Sequence, residues 1–545
     1  MFTLYPAAKV ITMNPARPHA THVAVRDGRI LGAGTREELE RWGEHEVDER
    51  FADKVIMPGF VEGHCHVMEG VLWRYTYCGY FDRTDPDGKT WKGLKDKAAV
   101  LDRLREAHKR DGDGSLSGWG FDPIYFEGGG SDAAKMNRAD LDAISTDRPI
   151  GVMHASGHIM NVNSKALELA DLLRPGINHP GVPLGSDGLP TGELKGPEVM
   201  TPVNPHVGFE RAMMTGDERG LRDFGKLCVR AGVTTATDLA APLPDEAVDM
   251  MLRVTGGRDF PVRVVPLRFH FGTSPDDLIA HVLQLRERST DRLRLGRIKV
   301  IADGSIQGFS ARLRPPGYHN GAPNGLWYIT PEHMLSIYEQ ALANGILVHT
   351  HTNGDGATQL ALDTLERALS ASPAFDHRFT IQHGQMVDAA QFRRMARLGM
   401  CANLFANHHF YWGDEHYRLT VGPERAERMN AARTALDTGV PLAVHSDAPI
   451  TPLAPLFTAW CAVNRLTASG RVQGEHERIT VAEALRAITL GAAYTLKLDG
   501  EIGSIEAGKR ADLAILNDDP EEIAPDALKD VGVWGTMQDG RIFRA

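Results

Sequence analysis

The sequence predicts an α/β protein: a (β/α)8 TIM barrel, a composite β-sandwich built from both termini, and a subdomain inserted after strand one. Three observations carry this prediction. Apolar, strand-like runs alternate with amphipathic helical patterns through the middle of the chain. Short β-rich runs with hairpin signals occur at both ends. Ligand-type side chains recur at the ends of the apolar runs, where (β/α)8 barrels carry their reacting groups.

At 545 residues the chain exceeds a single ordinary core, so two or more domains are expected. Its 42% hydrophobic and 24% charged content is that of a soluble globular protein. A formal net charge of -11 argues against nucleic acid or an anionic membrane as principal partner. The five cysteines, at 65, 78, 228, 401 and 461, form no Cys-x-x-Cys and no disulfide framework. That usage fits a reducing cytoplasm, with any metal held by nitrogen and oxygen. The start of the chain lacks the basic and apolar segments of a signal peptide, and no stretch approaches a membrane span. A soluble, cytoplasmic protein is the expectation.

At the N-terminal end, 9–13, 22–25 and 29–33 read as strands, with Asp27-Gly28 as a hairpin turn. At the far end, 511–516, 531–537 and 541–543 repeat the pattern around Asp539-Gly540. Neither end has enough strands to close a core alone, so 1–57 and 499–545 are expected to build one sandwich together. Between them, residues 58–498 read as the barrel. Its strands begin near Phe60, Val233, Val262, Ile298, Ile346, Phe379, Met400 and Pro441. Helical patterns follow at 211–230, 275–289, 331–344, 358–369, 389–398 and 424–438. From Val67 to about 210 the repeat is interrupted by turn-rich pieces such as Asp187-Gly188-Leu189-Pro190. A stretch of that length is too long to be structureless, which predicts an inserted subdomain over the barrel mouth.

The site is announced by His64-Cys65-His66, directly behind the apolar run 55–61. Residues two apart in a strand share a face, so the two imidazoles can meet one cation while Cys65 points away. Lys299, His351, His383 and Asp447 each stand at the end of a later apolar run. A core histidine or a solvated charge accounts for any one of these, but not for the ordered set. His349 and His445 share the parity of His351 and Asp447, and read as hydrogen-bonded or packing residues. His158, beside Asn161 and Asn163, reads equally as a substrate contact or a loop hydrogen bond. Trp119-Gly120-Phe121 and the group from Phe405 to Trp412 are candidate pocket walls, with Trp119 a candidate substrate contact.

These residues resemble the amidohydrolase superfamily, and within it the amidohydrolase-3 group that includes N-substituted formamide deformylases. The pieces that carry the resemblance are Pro58-Gly59-Phe60-Val61-Glu62-Gly63-His64-Cys65-His66, the segment from His158 to Leu167, Asp187 to Glu193, and Lys299 with Asp303-Gly304-Ser305. They continue in His351-Thr352-Asn353-Gly354-Asp355, His383, Ser446-Asp447-Ala448-Pro449 and the terminal segment from Gly503 to Leu513. The resemblance implies a metal-dependent hydrolase with His64, His66, Lys299, His351, His383 and Asp447 as metal ligands. It implies a divalent metal of zinc type, one or two per chain, and makes Lys299 a candidate for N6-carboxylation that bridges two metals. An unmodified Lys299 paired with Asp303 or another acid, beside a single metal, is the other reading. A homodimer is the expectation for such enzymes.

The chemistry suits the residue types. Amides resist hydrolysis because water is a poor nucleophile and the amine a poor leaving group. A divalent metal lowers the pKa of bound water from about 15.7 to about 7 and polarises the carbonyl. Imidazoles with a carboxylate suit zinc. Asp447 would orient the hydroxide, take its proton and return it to the leaving nitrogen. The resemblance implies cleavage of a C–N bond in a small acyclic amide such as an N-substituted formamide. The alternatives are a cyclic-amide, carbamate or ester hydrolase on the same centre, or a non-hydrolytic decarboxylase or isomerase.

Overall fold

The computed structural model describes residues 1–545 apart from 113, 130, 132 and 210–215. The start of the helix expected over 211–230, and the far edge of the insertion near 210, lie outside the described residues.

Eight parallel strands form one curled sheet in chain order. They are β1 (Phe60–Glu62), β2 (Val233–Ala241), β3 (Arg263–Phe269), β4 (Ile298–Ile301), β5 (Val348–Thr352), β6 (Thr380–His383), β7 (Cys401–Leu404) and β8 (Leu442–Val444). Nearly every residue in them is buried, as expected for parallel strands covered on both faces. Register matters for the site: Lys299 of β4 lies beside His349 of β5, and Thr352 of β5 beside His383 of β6. Past the strand ends, Cys65 bridges Ala448, which brings the continuations of β1 and β8 together.

Helices return the chain between strands and start where the sequence supplies caps. Ser274 caps Pro275–Glu287, Thr330 caps Pro331–Ala343 and Asp388 caps Ala389–Leu398, each accepting a backbone N–H of the first turn. The helix expected over 424–438 is instead two short helices, Pro423–Ala426 and Ala432–Asp437. Asn430 between them is left-handed (φ 46°) and donates its backbone N–H to Gln385. The buried Arg465 guanidinium takes the carbonyls freed at Met429 and Asn430. The helix expected over 275–289 ends at Glu287, and Asp245–Thr255 is a further helix that the sequence pattern did not single out.

Strands from both chain ends share a second sheet. Val55–Pro58 pairs antiparallel with Leu513–Leu516, with Ile56 opposite Ile515, and parallel with the strand Phe2–Ile11. The apolar run 55–61 is therefore split between two sheets at Gly59. A Cβ there would lie 2.0 Å from Thr234 Oγ1, so only glycine lets the chain pass so close to β2. At this seam Arg263, 1% exposed, bonds Asp512, Thr235 and the carbonyl of Asp291.

Between β1 and β2 the chain builds a five-stranded sheet of Glu193–Lys195, Ile159–Val162, Ile150–His154, Leu116–Phe121 and Thr76–Tyr77, in that order. Among the described residues no helix is long and apolar enough to cross a membrane.

Candidate metal centre

The C-terminal ends of the parallel strands converge on Asp447. Two backbone bonds set the frame: the Asp447 N–H donates to the His64 carbonyl at 3.0 Å, and the His66 N–H to the Ala448 carbonyl at 2.7 Å. Asp447 Oδ1 then lies 3.2 Å from His64 Nε2 and 3.3 Å from His66 Nε2, and Oδ2 lies 3.8 Å from His383 Nδ1. Lys299 Nζ stands 3.4 Å from His64 Nε2. The rings of His64 and His383 are 4.4 Å apart, and those of His351 and His383 4.3 Å. His383 (φ 69°) and Asp447 (φ 53°) both have left-handed backbones, which non-glycine residues rarely adopt. Such strain persists only where the surroundings over-determine it, and it clusters at functional sites.

A hydrogen-bond relay orients His64. The Thr495 carbonyl can only accept, so the proton it meets at 2.9 Å belongs to His349 Nε2. His349 Nδ1 is then an acceptor, and the Gln382 amide nitrogen donates to it at 2.7 Å. Gln382 Oε1 consequently faces His64 Nδ1 at 2.7 Å, and also accepts from Asn403 Nδ2 at 3.0 Å. His64 Nδ1 must carry a proton, which leaves the Nε2 lone pair pointing into the cluster.

Burial sets the charges. It holds His64, His351 and His383 well below the ordinary imidazole range, with Lys299 adding to the effect. Burial lowers the Lys299 ammonium to about 7, against the opposing pull of Asp447. It also raises the Asp447 carboxyl, against the opposing effect of His66 and Lys299. The site therefore offers neutral nitrogen lone pairs around one carboxylate. Both nitrogens of the buried His383 make no hydrogen bond, and Asp447 Oδ1 faces the lone pair of His64 Nε2. An N/O donor set with unspent lone pairs fits a divalent cation of zinc type. Among the described residues, two three-residue groups have ligand atoms within 4.8 Å of one another: His64 with His66 and Asp447, and His64 with His383 and His445.

The remaining candidates take distinct places. His351 lies at the edge, its Nε2 3.4 Å from the Gly304 carbonyl and 3.6 Å from Asp303 Oδ1. Lys299 meets His64 rather than Asp303, whose carboxylate accepts the backbone N–H groups of Arg312, Asn353 and Gly354 at 2.9 Å each. His349 is the hydrogen-bonded interior residue expected. The His158 ring packs against His351 (5.3 Å) and Tyr328 (5.8 Å). Trp119 is buried against Trp73 and Tyr77, with Arg83 over its ring. Asp355 braces the loop after β4, accepting from the Arg314 N–H at 2.8 Å and Nε at 3.1 Å. Next to the cluster, Phe405 packs toward Trp412 (6.4 Å), which lines a small cleft with Tyr77, Tyr80, Phe81, Arg83, Tyr125 and Tyr411.

Two supporting residues escaped the sequence reading. Gln382 adjoins a candidate ligand in the chain, yet its partner His64 is 318 residues away. Glu62, fully buried and pushed up by burial to about 8, takes the backbone N–H and hydroxyl of Ser446 at 3.1 and 3.0 Å and so holds the turn before Asp447. The only signal for it was an acidic residue inside an apolar run.

A family model described as "Amidohydrolase family" matches residues 52–544. The chain is 27% identical to the putative amidohydrolase YtcJ of Bacillus subtilis (strain 168), over 99% of each chain. It is 26% identical to the N-substituted formamide deformylase of Arthrobacter pascens, over 98% of this chain and 96% of that one. In fold it is similar to an uncharacterized metal-dependent hydrolase from Pyrococcus horikoshii OT3, with a TM-score of 0.71 at 20% identity, covering 96% of this chain and 99% of that one.

Proposed function

The chain belongs to the amidohydrolase family and is a metal-dependent hydrolase, and from that premise we propose that it cleaves the C–N bond of a small acyclic amide such as an N-substituted formamide. The observation that supports this reading most is the buried Asp447 carboxylate, whose Oδ1 lies 3.2 Å from His64 Nε2 and 3.3 Å from His66 Nε2.

In this reading the curled sheet is a closed (β/α)8 barrel spanning 58–498, with 1–57 and 499–545 as a composite β-sandwich and about 67–210 as an inserted subdomain. His64, His66, His351, His383, Lys299 and Asp447 would hold a divalent cation, which when bound would supply a water of lowered pKa (from about 15.7 to about 7) and polarisation of the amide carbonyl. Asp447 accepts the proton of the attacking water and passes it to the nitrogen as the C–N bond breaks. One solvent oxygen ends in the carboxylate product, the amine leaves neutral with the proton passed by Asp447, and the second proton of the water is released to solvent. Lys299, lowered to about 7, presents an amine that can add to carbon dioxide with loss of a proton, giving an anionic oxygen ligand. His158 and the aromatic wall, with Trp119 behind Tyr77, receive the amide and its substituent.

The test is turnover of aromatic N-substituted formamides in 18O-labelled water. Labelled formate and free amine in equal amounts are expected. A ring-opened product or an alcohol from a cyclic amide, carbamate or ester, with formamides untouched, would overturn the acyclic-amide assignment. Product without solvent oxygen would overturn hydrolysis.

A further inference from the structure

His445 stands two residues before Asp447 and is fully buried. Both ring nitrogens of His383 and of His445 are buried and lack a hydrogen-bond partner. His349, equally buried inside the sheet, has both nitrogens bonded, which is what a purely structural histidine requires. The orphaned nitrogens of His445 do not face an apolar wall on every side. Its ring stacks on His64 at 4.6 Å and 23°, lies 5.0 Å from His383, and is backed by Phe405 at 4.9 Å and 26°. Its backbone N–H is anchored on the Leu404 carbonyl at 3.0 Å. The ring is thus clamped between Phe405 and His64, with ligand atoms of His64, His383 and His445 within 4.8 Å of one another.

We propose that His445 is a nitrogen ligand for a divalent cation held also by His64 and His383, beside the position formed by His64, His66 and Asp447. This rests on the metal-dependent reading above and adds a residue that the sequence motif does not single out. His64 Nδ1 is committed to Gln382, so its single free lone pair serves one ion at a time. The two trios are therefore alternative positions for the ion that His64 holds. Three imidazoles without a carboxylate make a softer, less anionic donor set than the trio containing Asp447.

The test is direct. In zinc-soaked crystals of the full chain, an anomalous peak at the zinc edge about 2.0–2.1 Å from a His445 ring nitrogen is expected. Zinc confined to the position of His64, His66 and Asp447 at every zinc concentration, with no anomalous density within ligand reach of His445, would overturn the proposal without any substitution. In solution, cobalt(II) titration of metal-free protein, followed by visible absorption, should show at least tenfold weaker binding and an altered spectrum in His445→Gln and His445→Ala. The thermal midpoint of the metal-free forms serves as the folding control. Unchanged affinity and spectrum in folded variants, with His64→Ala impaired, would overturn the role of His445 alone. A wild-type protein that binds no cobalt or zinc would overturn the metal-dependent reading with it.

Discussion

The two ends of the curled sheet treat buried polar groups differently. At the end facing the terminal strands, Nε and Nη1 of the Arg263 guanidinium bond the Asp291 carbonyl, Asp512 and Thr235, and Nη2, without a hydrogen bond, lies 3.7 Å from Asp539 Oδ1. At the other end both ring nitrogens of the buried His383 and His445, and Asp447 Oδ1, are without hydrogen bonds. Buried donors and acceptors are normally satisfied, and an orphan costs about 1–3 kcal/mol. The seam end therefore looks like a site selected for stability, and the strand C-termini like a site where stability is given up for binding. Left-handed His383 and Asp447 belong to the same pattern.

That contrast can be broken most forcefully at Asp447. Asp447→Asn should lower turnover by about 10²–10⁴-fold, the usual weight of a general acid–base, while leaving the melting midpoint nearly unchanged. Loss of folding with turnover per folded molecule intact would reverse the assignment. Arg263→Met should do the converse. Removing one partner of a buried pair strands Asp512 and should cost about 3–5 kcal/mol in denaturant unfolding, with turnover per folded molecule retained.

A third buried group sharpens the comparison by pH. Asp122, between β1 and β2 in the chain, accepts from Trp412 Nε1 at 2.9 Å, and burial pushes its carboxyl up from 3.8 to about 7. Between those values the folded state keeps a proton that the unfolded state has lost, so this group's contribution makes stability fall as pH rises from about 4 to about 7. Asp122→Asn keeps an acceptor for Trp412 and removes the ionisation. It should match the wild type near pH 4 and exceed it by a few kcal/mol at pH 8, read from unfolding curves across pH. An advantage that does not grow with pH would contradict this. The smallest expected effect is at the relay: Gln382→Leu should weaken cation affinity by about 10–100-fold through loss of His64 orientation. Unchanged metal binding by calorimetry would reduce Gln382 to packing.

The fold was legible wherever it was written locally. Apolar runs starting near Ile298, Phe379 and Met400 became β4, β6 and β7 because strands buried on both faces must be apolar throughout. The structure brings the motif residues His64, His66 and Asp447 together, although His64 and His66 lie past the end of β1 rather than within a strand as the parity argument assumed. What stayed hidden depends on partners far away in the chain. The 424–438 pattern is broken by Arg465 and Gln385, and the run 55–61 is cut at Gly59 by Thr234. His445 looked like packing because parity cannot tell a satisfied imidazole from an orphaned one. Gln382 was hidden because its role exists only once β6 lies across the sheet from His64.

The central claim is that this buried histidine–aspartate cluster works through a divalent cation. The most direct measurement is elemental analysis of the purified chain before and after chelation, with hydrolysis followed on the same samples. The account predicts one or two divalent cations per chain, activity lost on their removal, and recovery on adding zinc. Full hydrolytic activity in protein shown to be free of metal would contradict it.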